Sequence, residues 1–137
     1  MRMNRKIIAV ASIIAIAAIV ISITSDSALD ESTISQTIFV DAVYEPKNKI
    51  VRITYNDNSE MTNLIILEVL GMEKTFHKEF SQSSLVETIE INFEPKYGWS
   101  TTPVVFSINH DEFGKIELKT EIYEQGESKP RIIYSKI

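Results

Sequence analysis

The chain has 137 residues, a length suited to one domain, with no cysteine and with 19 acidic against 14 basic residues. The missing cysteine excludes disulfide scaffolds, thiolate zinc sites, cysteine nucleophiles and lipidated-cysteine anchors. Arg2, Arg5 and Lys6 stand apart at the start, so the 114 residues from Thr24 onward carry 11 basic and all 19 acidic residues, a balance that argues against a nucleic-acid partner.

Ile7 to Ile23 is an uncharged run of 17 residues rich in Ile, Ala and Val. As a helix it would rise about 26 Å, slightly less than a hydrocarbon core of about 30 Å, with Thr24 and Ser25 extending it and Arg5 and Lys6 reaching to the interface. The run predicts a hydrophobic helix within residues 1–25 that serves as a membrane anchor or signal segment. Basic residues stay on the cytoplasmic side, so Arg2, Arg5 and Lys6 hold the N-terminus inside and place the rest of the chain outside. The expectation is a single-pass protein of the cell membrane that contacts the membrane through residues 7–23, with secretion after signal cleavage as the alternative. Residues 26–33 are rich in Ser, Thr, Asp and Glu and read as a polar tether.

From Ile34 onward apolar residues recur with a period of two, the spacing of a strand with one face buried. Ile34, Ile38, Val40, Ala42 and Tyr44 fall on one face of a first strand, and Val51, Ile53 and Tyr55 on one face of a second. Leu64 to Leu70 is almost wholly apolar, which predicts a central strand covered on both faces. Leu85, Ile89, Ile91 and Phe93 alternate with polar residues, as do Val104, Phe106 and Ile108, then Ile116, Leu118 and Ile122. Arg131 to Tyr134 predicts a last edge. The four glycines and four prolines fall between these runs or open one. Seven or eight short strands with no amphipathic helix between them predict an all-β, antiparallel, Ig-like β-sandwich over residues 34–137, preceded by the N-terminal hydrophobic helix.

Over Ile34 to Tyr134 the chain resembles, in architecture, the membrane-anchored immunoglobulin-like or fibronectin-type-III-like modules of bacterial and archaeal cell envelopes. More distantly it resembles archaeal pilin-like proteins, which place a β-sandwich after a hydrophobic helix. It departs from the pilin processing pattern, since Lys6 is followed by Ile7 and no acid precedes Asp26.

Candidate chemistry is sparse. No G-x-S-x-G, H-E-x-x-H or P-loop pattern occurs, and an enzyme is not expected. His77 lies in an alternating stretch and reads as a strand surface residue. His110, Asp111 and Glu112 are consecutive in an expected hairpin loop, and the three side chains are candidate metal ligands. The oxygen-rich stretch Tyr55 to Glu60 suits calcium by residue type alone, without the spacing of an EF-hand loop. The segment Glu94 to Pro103 carries Tyr97 and Trp99 in a Pro/Gly-rich loop, where aromatic rings offer large contact area at low entropic cost. These features predict a non-enzymatic, extracytoplasmic interaction or structural module without a cofactor. Its expected partner is a protein of the cell envelope, with the chain as an accessory subunit of a complex. The alternatives are a small metal-binding or metal-delivery domain and a pilus-like subunit.

Overall fold

The computed structural model describes residues 30–137; the expected anchor at 1–25 and most of the tether lie outside the described residues. A short helix α1 (Glu31–Thr37) leads into nine strands: β1 (Ile38–Glu45), β2 (Ile50–Asp57), β3 (Thr62–Val69), β4 (Phe76–Phe80), β5 (Ser84–Glu90), β6 (Pro103–His110), β7 (Gly114–Glu121), β8 (Tyr123–Glu124) and β9 (Ile133–Lys136). One sheet has the order β5-β2-β1-β8 and the other β4-β3-β6-β7-β9. The two form a β-sandwich compatible with an Ig-like architecture. Among the described residues no helix is long and apolar enough to cross a membrane.

The period-two pattern is what closes the sandwich. Val40, Ala42 and Tyr44 of β1 and Val51, Ile53 and Tyr55 of β2 are buried, and so are Ile65, Leu67 and Val69 of β3, Val104, Phe106 and Ile108 of β6 and Ile116 and Leu118 of β7. Each Val, Leu, Ile or Phe side chain among them withdrawn from water contributes about 1.5–3 kcal/mol, which helps to offset the conformational entropy of ordering the strands. The Tyr55 and Phe106 rings meet across the interior with centroids 6.0 Å apart. The expected last edge is present as β9, which pairs with β7.

Several expectations need correction. Ile34 is buried from α1, not from the first strand, so the helix begins inside the stretch read as a tether. Its side chain lies one helical turn before Ile38, and both reach the core. β3 is flanked by β4 and β6, but only one of its faces is buried; Leu64 and Ile66 on the other are half-exposed. Phe93 is exposed because β5 ends at Glu90, and the alternation has no sheet to face beyond it. The sandwich is also not wholly antiparallel: Val43 and Tyr44 of β1 pair with Tyr123 and Glu124 of β8 in parallel.

Candidate functional site

The loop from Ile91 to Thr102 closes one end of the sandwich. Backbone bonds hold it: Ile91 N–H donates to Lys49 O (2.9 Å), Gly98 N–H to Pro95 O (3.1 Å) and Thr102 N–H to Trp99 O (3.0 Å). The last of these closes a single 3₁₀ turn, Trp99–Thr101. The turn after β3 packs directly beneath it. Gly71 has φ +78°, and a Cβ there would collide with the carbonyl oxygen of Thr101, so both the backbone angle and the close approach require glycine.

This scaffold sets out the aromatic residues unequally. Trp99 is half-buried, its ring centroid 4.7 Å from that of buried Tyr44 at a 37° tilt. Burial, followed by the nearby Glu94 and Glu124 carboxylates, raises the pKa of the Tyr44 hydroxyl above its ordinary value. Tyr97 is 77% exposed and Phe93 83% exposed. Lys96 Nζ lies 5.6 Å from the centroid of the Tyr97 ring. Trp99 forms a wall of two grooves. One, of about 640 Å³, has Met72, Phe76, Ile89, Phe93 and Pro95 among its lining. The other, of about 410 Å³, has the carboxylates of Glu94, Glu121, Glu124 and Glu127 beside Tyr123. The structure thus brings Tyr97 and Trp99 to the same end, with Trp99 partly a cap on Tyr44 and partly a groove wall.

His110 is placed differently from the expectation. It is the last residue of β6 rather than a loop residue, and its side chain is buried. Its Nδ1 accepts the backbone N–H groups of Glu112 (3.1 Å) and Phe113 (3.2 Å), and the Phe113 ring stacks on the imidazole at 4.5 Å. With two donors facing Nδ1, the ring hydrogen sits on Nε2 and is donated to Asp57 Oδ2, 3.0 Å away. Asp57 also accepts from Ser59 Oγ (2.5 Å), Ser59 N–H (2.9 Å), Met61 N–H (3.1 Å) and Thr62 Oγ1 (2.7 Å). Tyr55 OH extends the chain by donating to Thr62 Oγ1 at 2.8 Å. Burial pushes the Asp57 carboxyl up, but the hydrogen bonds from Ser59, Thr62 and Met61 outweigh it and hold its pKa below the ordinary value.

This network decides what His110 and its neighbours can do. Ser59, His110 and Asp57 contain the residue types of a hydrolytic triad, with Ser59 Oγ 3.1 Å from His110 Nε2. Serine and carboxylate both face Nε2, however, and the other nitrogen is occupied by backbone donors. The imidazole therefore has no lone pair with which to take a proton from Ser59, and the trio ties the β2–β3 turn to the β6–β7 turn. Asp111 and Glu112 are exposed, and Asp111 Oδ1 accepts from Asn63 Nδ2 at 2.6 Å. With both His110 nitrogens engaged, the three expected metal ligands do not converge. Among the described residues no group of three or more His, Asp or Glu is arranged to hold a metal ion. The oxygen-rich turn at 55–60 directs its central carboxylate, Asp57, inward. His77 lies on the exposed face of β4, its Nδ1 3.7 Å from Glu68 Oε2.

Sequence reasoning misses the Asp57–His110 network, although the signal is present. The inward alternation of Val51, Ile53 and Tyr55 arrives next at Asp57, and that of Val104, Phe106 and Ile108 arrives next at His110. Comparison of the chain with protein-family models, curated proteins and solved structures finds no match, so its functional reading rests on its own residues.

Proposed function

We propose that the chain is a non-enzymatic interaction module, held outside the cytoplasmic membrane by residues 7–23 and binding a protein partner of the cell envelope through the Trp99 end of its sandwich. The observation that carries this reading is the exposure of Phe93 and Tyr97 beside a groove walled by Trp99. Large aromatic side chains left in water on a hydrogen-bonded loop give a partner contact area at little ordering cost. The distribution of strands agrees with an Ig-like or fibronectin-type-III-like module, with the first, second and fifth strands in one sheet and the third, fourth, sixth and seventh in the other. The charge-free run after Arg2, Arg5 and Lys6 supports the anchored, outward-facing placement.

A photocrosslinking residue placed at position 97 tests the reading in the protein's own cells. Irradiation should give one discrete protein adduct from position 97 and none from position 119, an exposed site on β7. Equal labelling from both positions, or no adduct from position 97, would remove the aromatic end as a contact surface.

A further inference from the structure

We infer that the outer edge of β5 accepts an added strand, and that its occupant is an extended segment of a partner protein in which apolar and basic residues alternate. This rests on the reading of the chain as an interaction module, and adds to it a backbone edge and a partner chemistry.

The edge follows from the hydrogen-bond parity of β5. Among the described residues it lies at the end of its sheet and pairs with β2 alone. Asp57 N–H donates to Ser83 O at one end of this ladder, and Ile91 N–H donates to Lys49 O at the other. In an antiparallel ladder without a register shift, hydrogen-bonded positions recur every second residue. Leu85, Glu87 and Ile89 therefore bond to β2, while the backbone groups of Ser84, Val86, Thr88 and Glu90 point away from it.

Exposed edges are ordinarily blunted by shortness, lysine, proline or a bulge. The other edges of this sandwich follow that rule. β4 has five residues with Lys78 at its centre, β9 has four and includes Lys136, and β8 has two. β5 has seven residues, SLVETIE, with no lysine, arginine, proline or glycine; its charges are Glu90 and the inner-face Glu87, which Lys78 Nζ engages at 3.3 Å, and its Val86 is 62% exposed.

Neighbouring side chains indicate what would lie there. Successive residues of an added strand would point alternately to the inner and outer faces. Inner side chains would come alongside Leu85, Glu87 and Ile89, with Glu87 already paired to Lys78 Nζ at 3.3 Å, continuing toward the groove that holds Phe76, Phe93 and Trp99. Outer side chains would come alongside Val86, Thr88 and Glu90. Residues 30–137 carry 18 acidic and 11 basic residues, which favours a basic segment over a second copy of this chain. Self-pairing centred on β5 would in addition set Glu87 against Glu87.

The test uses the full chain in detergent, with residue-resolved amide exchange as readout and two capped heptapeptides as probes, Lys-Val-Lys-Val-Lys-Val-Lys and its Glu-Val counterpart. The basic peptide should slow exchange at Val86, Thr88 and Glu90 at least tenfold, and the acidic peptide should not. Thr88→Pro removes an outward N–H and should abolish this protection, while Leu85, Glu87 and Ile89 exchange at wild-type rates. If that variant disturbs the β2 ladder, Val86→Lys takes its place and should reduce the protection by repelling the basic probe.

Protection confined to β4 or β9, or none at β5, would overturn the inference. Protection of the outward amides that rises with protein concentration in the absence of peptide would also overturn it, in favour of a second copy. The two proposals fail separately. Protected β5 amides without an adduct from position 97 leave the edge and remove the aromatic end, and an adduct with unprotected β5 does the reverse.

Discussion

Replacing Asp57 with alanine removes a carboxylate that receives five hydrogen bonds, from Ser59 N–H, Ser59 Oγ, Met61 N–H, Thr62 Oγ1 and His110 Nε2. The donors on Ser59 and Met61 lie near enough to the surface for water to replace the carboxylate. Thr62 Oγ1 and His110 Nε2 belong to buried residues: the Tyr55–Thr62 hydroxyl pair would be left one acceptor short, and Nε2–H would keep only Ser59 Oγ, 3.1 Å away. A buried donor left without an acceptor costs about 1–3 kcal/mol, and the lost charge-assisted bond to His110 adds to it, for an expected loss of about 2–4 kcal/mol. Small domains have only about 5–15 kcal/mol in total, so this is a large fraction of the whole. Urea unfolding followed by the fluorescence of Trp99, the one tryptophan, measures it directly. A double-mutant cycle with His110→Ala should return a coupling of about 1–3 kcal/mol. The pH dependence has a definite sign. The carboxyl is more acidic folded than unfolded, so its contribution is present above the ordinary value of 3.8 and is lost as pH falls through the lower folded value. Asp57→Asn should flatten that acid limb. A loss within about 1 kcal/mol for Asp57→Ala, or additivity with His110→Ala, would refute the network as the tie between the two turns.

Gly71→Ala should cost about 1–3 kcal/mol, because the new methyl meets the Thr101 carbonyl at a backbone angle that alanine disfavours, and thermal unfolding would show the loss as a lowered Tm. Ile91→Ala should cost about 2–5 kcal/mol, since Ile91 is buried, whereas Phe93→Ala should stay within about 0.5 kcal/mol; comparable denaturant midpoints for the two would mean that the end of β5 is misplaced. The full chain should remain with membranes through high-salt and carbonate washes, and a mature N-terminus near Ala28 in a soluble fraction would replace anchorage with secretion.

Alternation along the chain makes most of the sandwich legible from the residues alone. Val51, Ile53, Tyr55, Phe106 and Leu118 are buried where the period of two places them. The same rule misleads where a chain segment leaves its sheet, as at Phe93, and where a helical turn delivers an apolar residue to the core, as at Ile34. At strand ends it reaches further than apolar residues reveal, because Asp57 and His110 are polar and become intelligible as inward residues only once each has the other as partner. The two-residue strand β8 has no pattern to read; its place is decided by the exposed side of β1. At the candidate site, sequence identifies the aromatic loop but not the division of labour within it. Which of Tyr97 and Trp99 stays in water depends on Tyr44, a residue more than fifty positions away.

The parallel pairing of β1 with β8 joins Val43 to Tyr123, and Lys129 Nζ reaches back to Val40 O at 2.8 Å. During synthesis β1 and β2 can pair as soon as both have emerged, but the other side of β1 waits for partners that lie 80 residues beyond Val43 and Tyr44. At about 5–20 residues per second this is an interval of about 4–16 s in which a nascent strand edge stands open. The segment from Tyr123 to Lys129 therefore acts as a late-fastening clasp on β1. A stop codon shortly after Ile122 would produce a chain with nearly all its core residues and an unsealed flank. Such a fragment would be open to association through β1, a hazard that a chain carrying β8 meets only while it is being made.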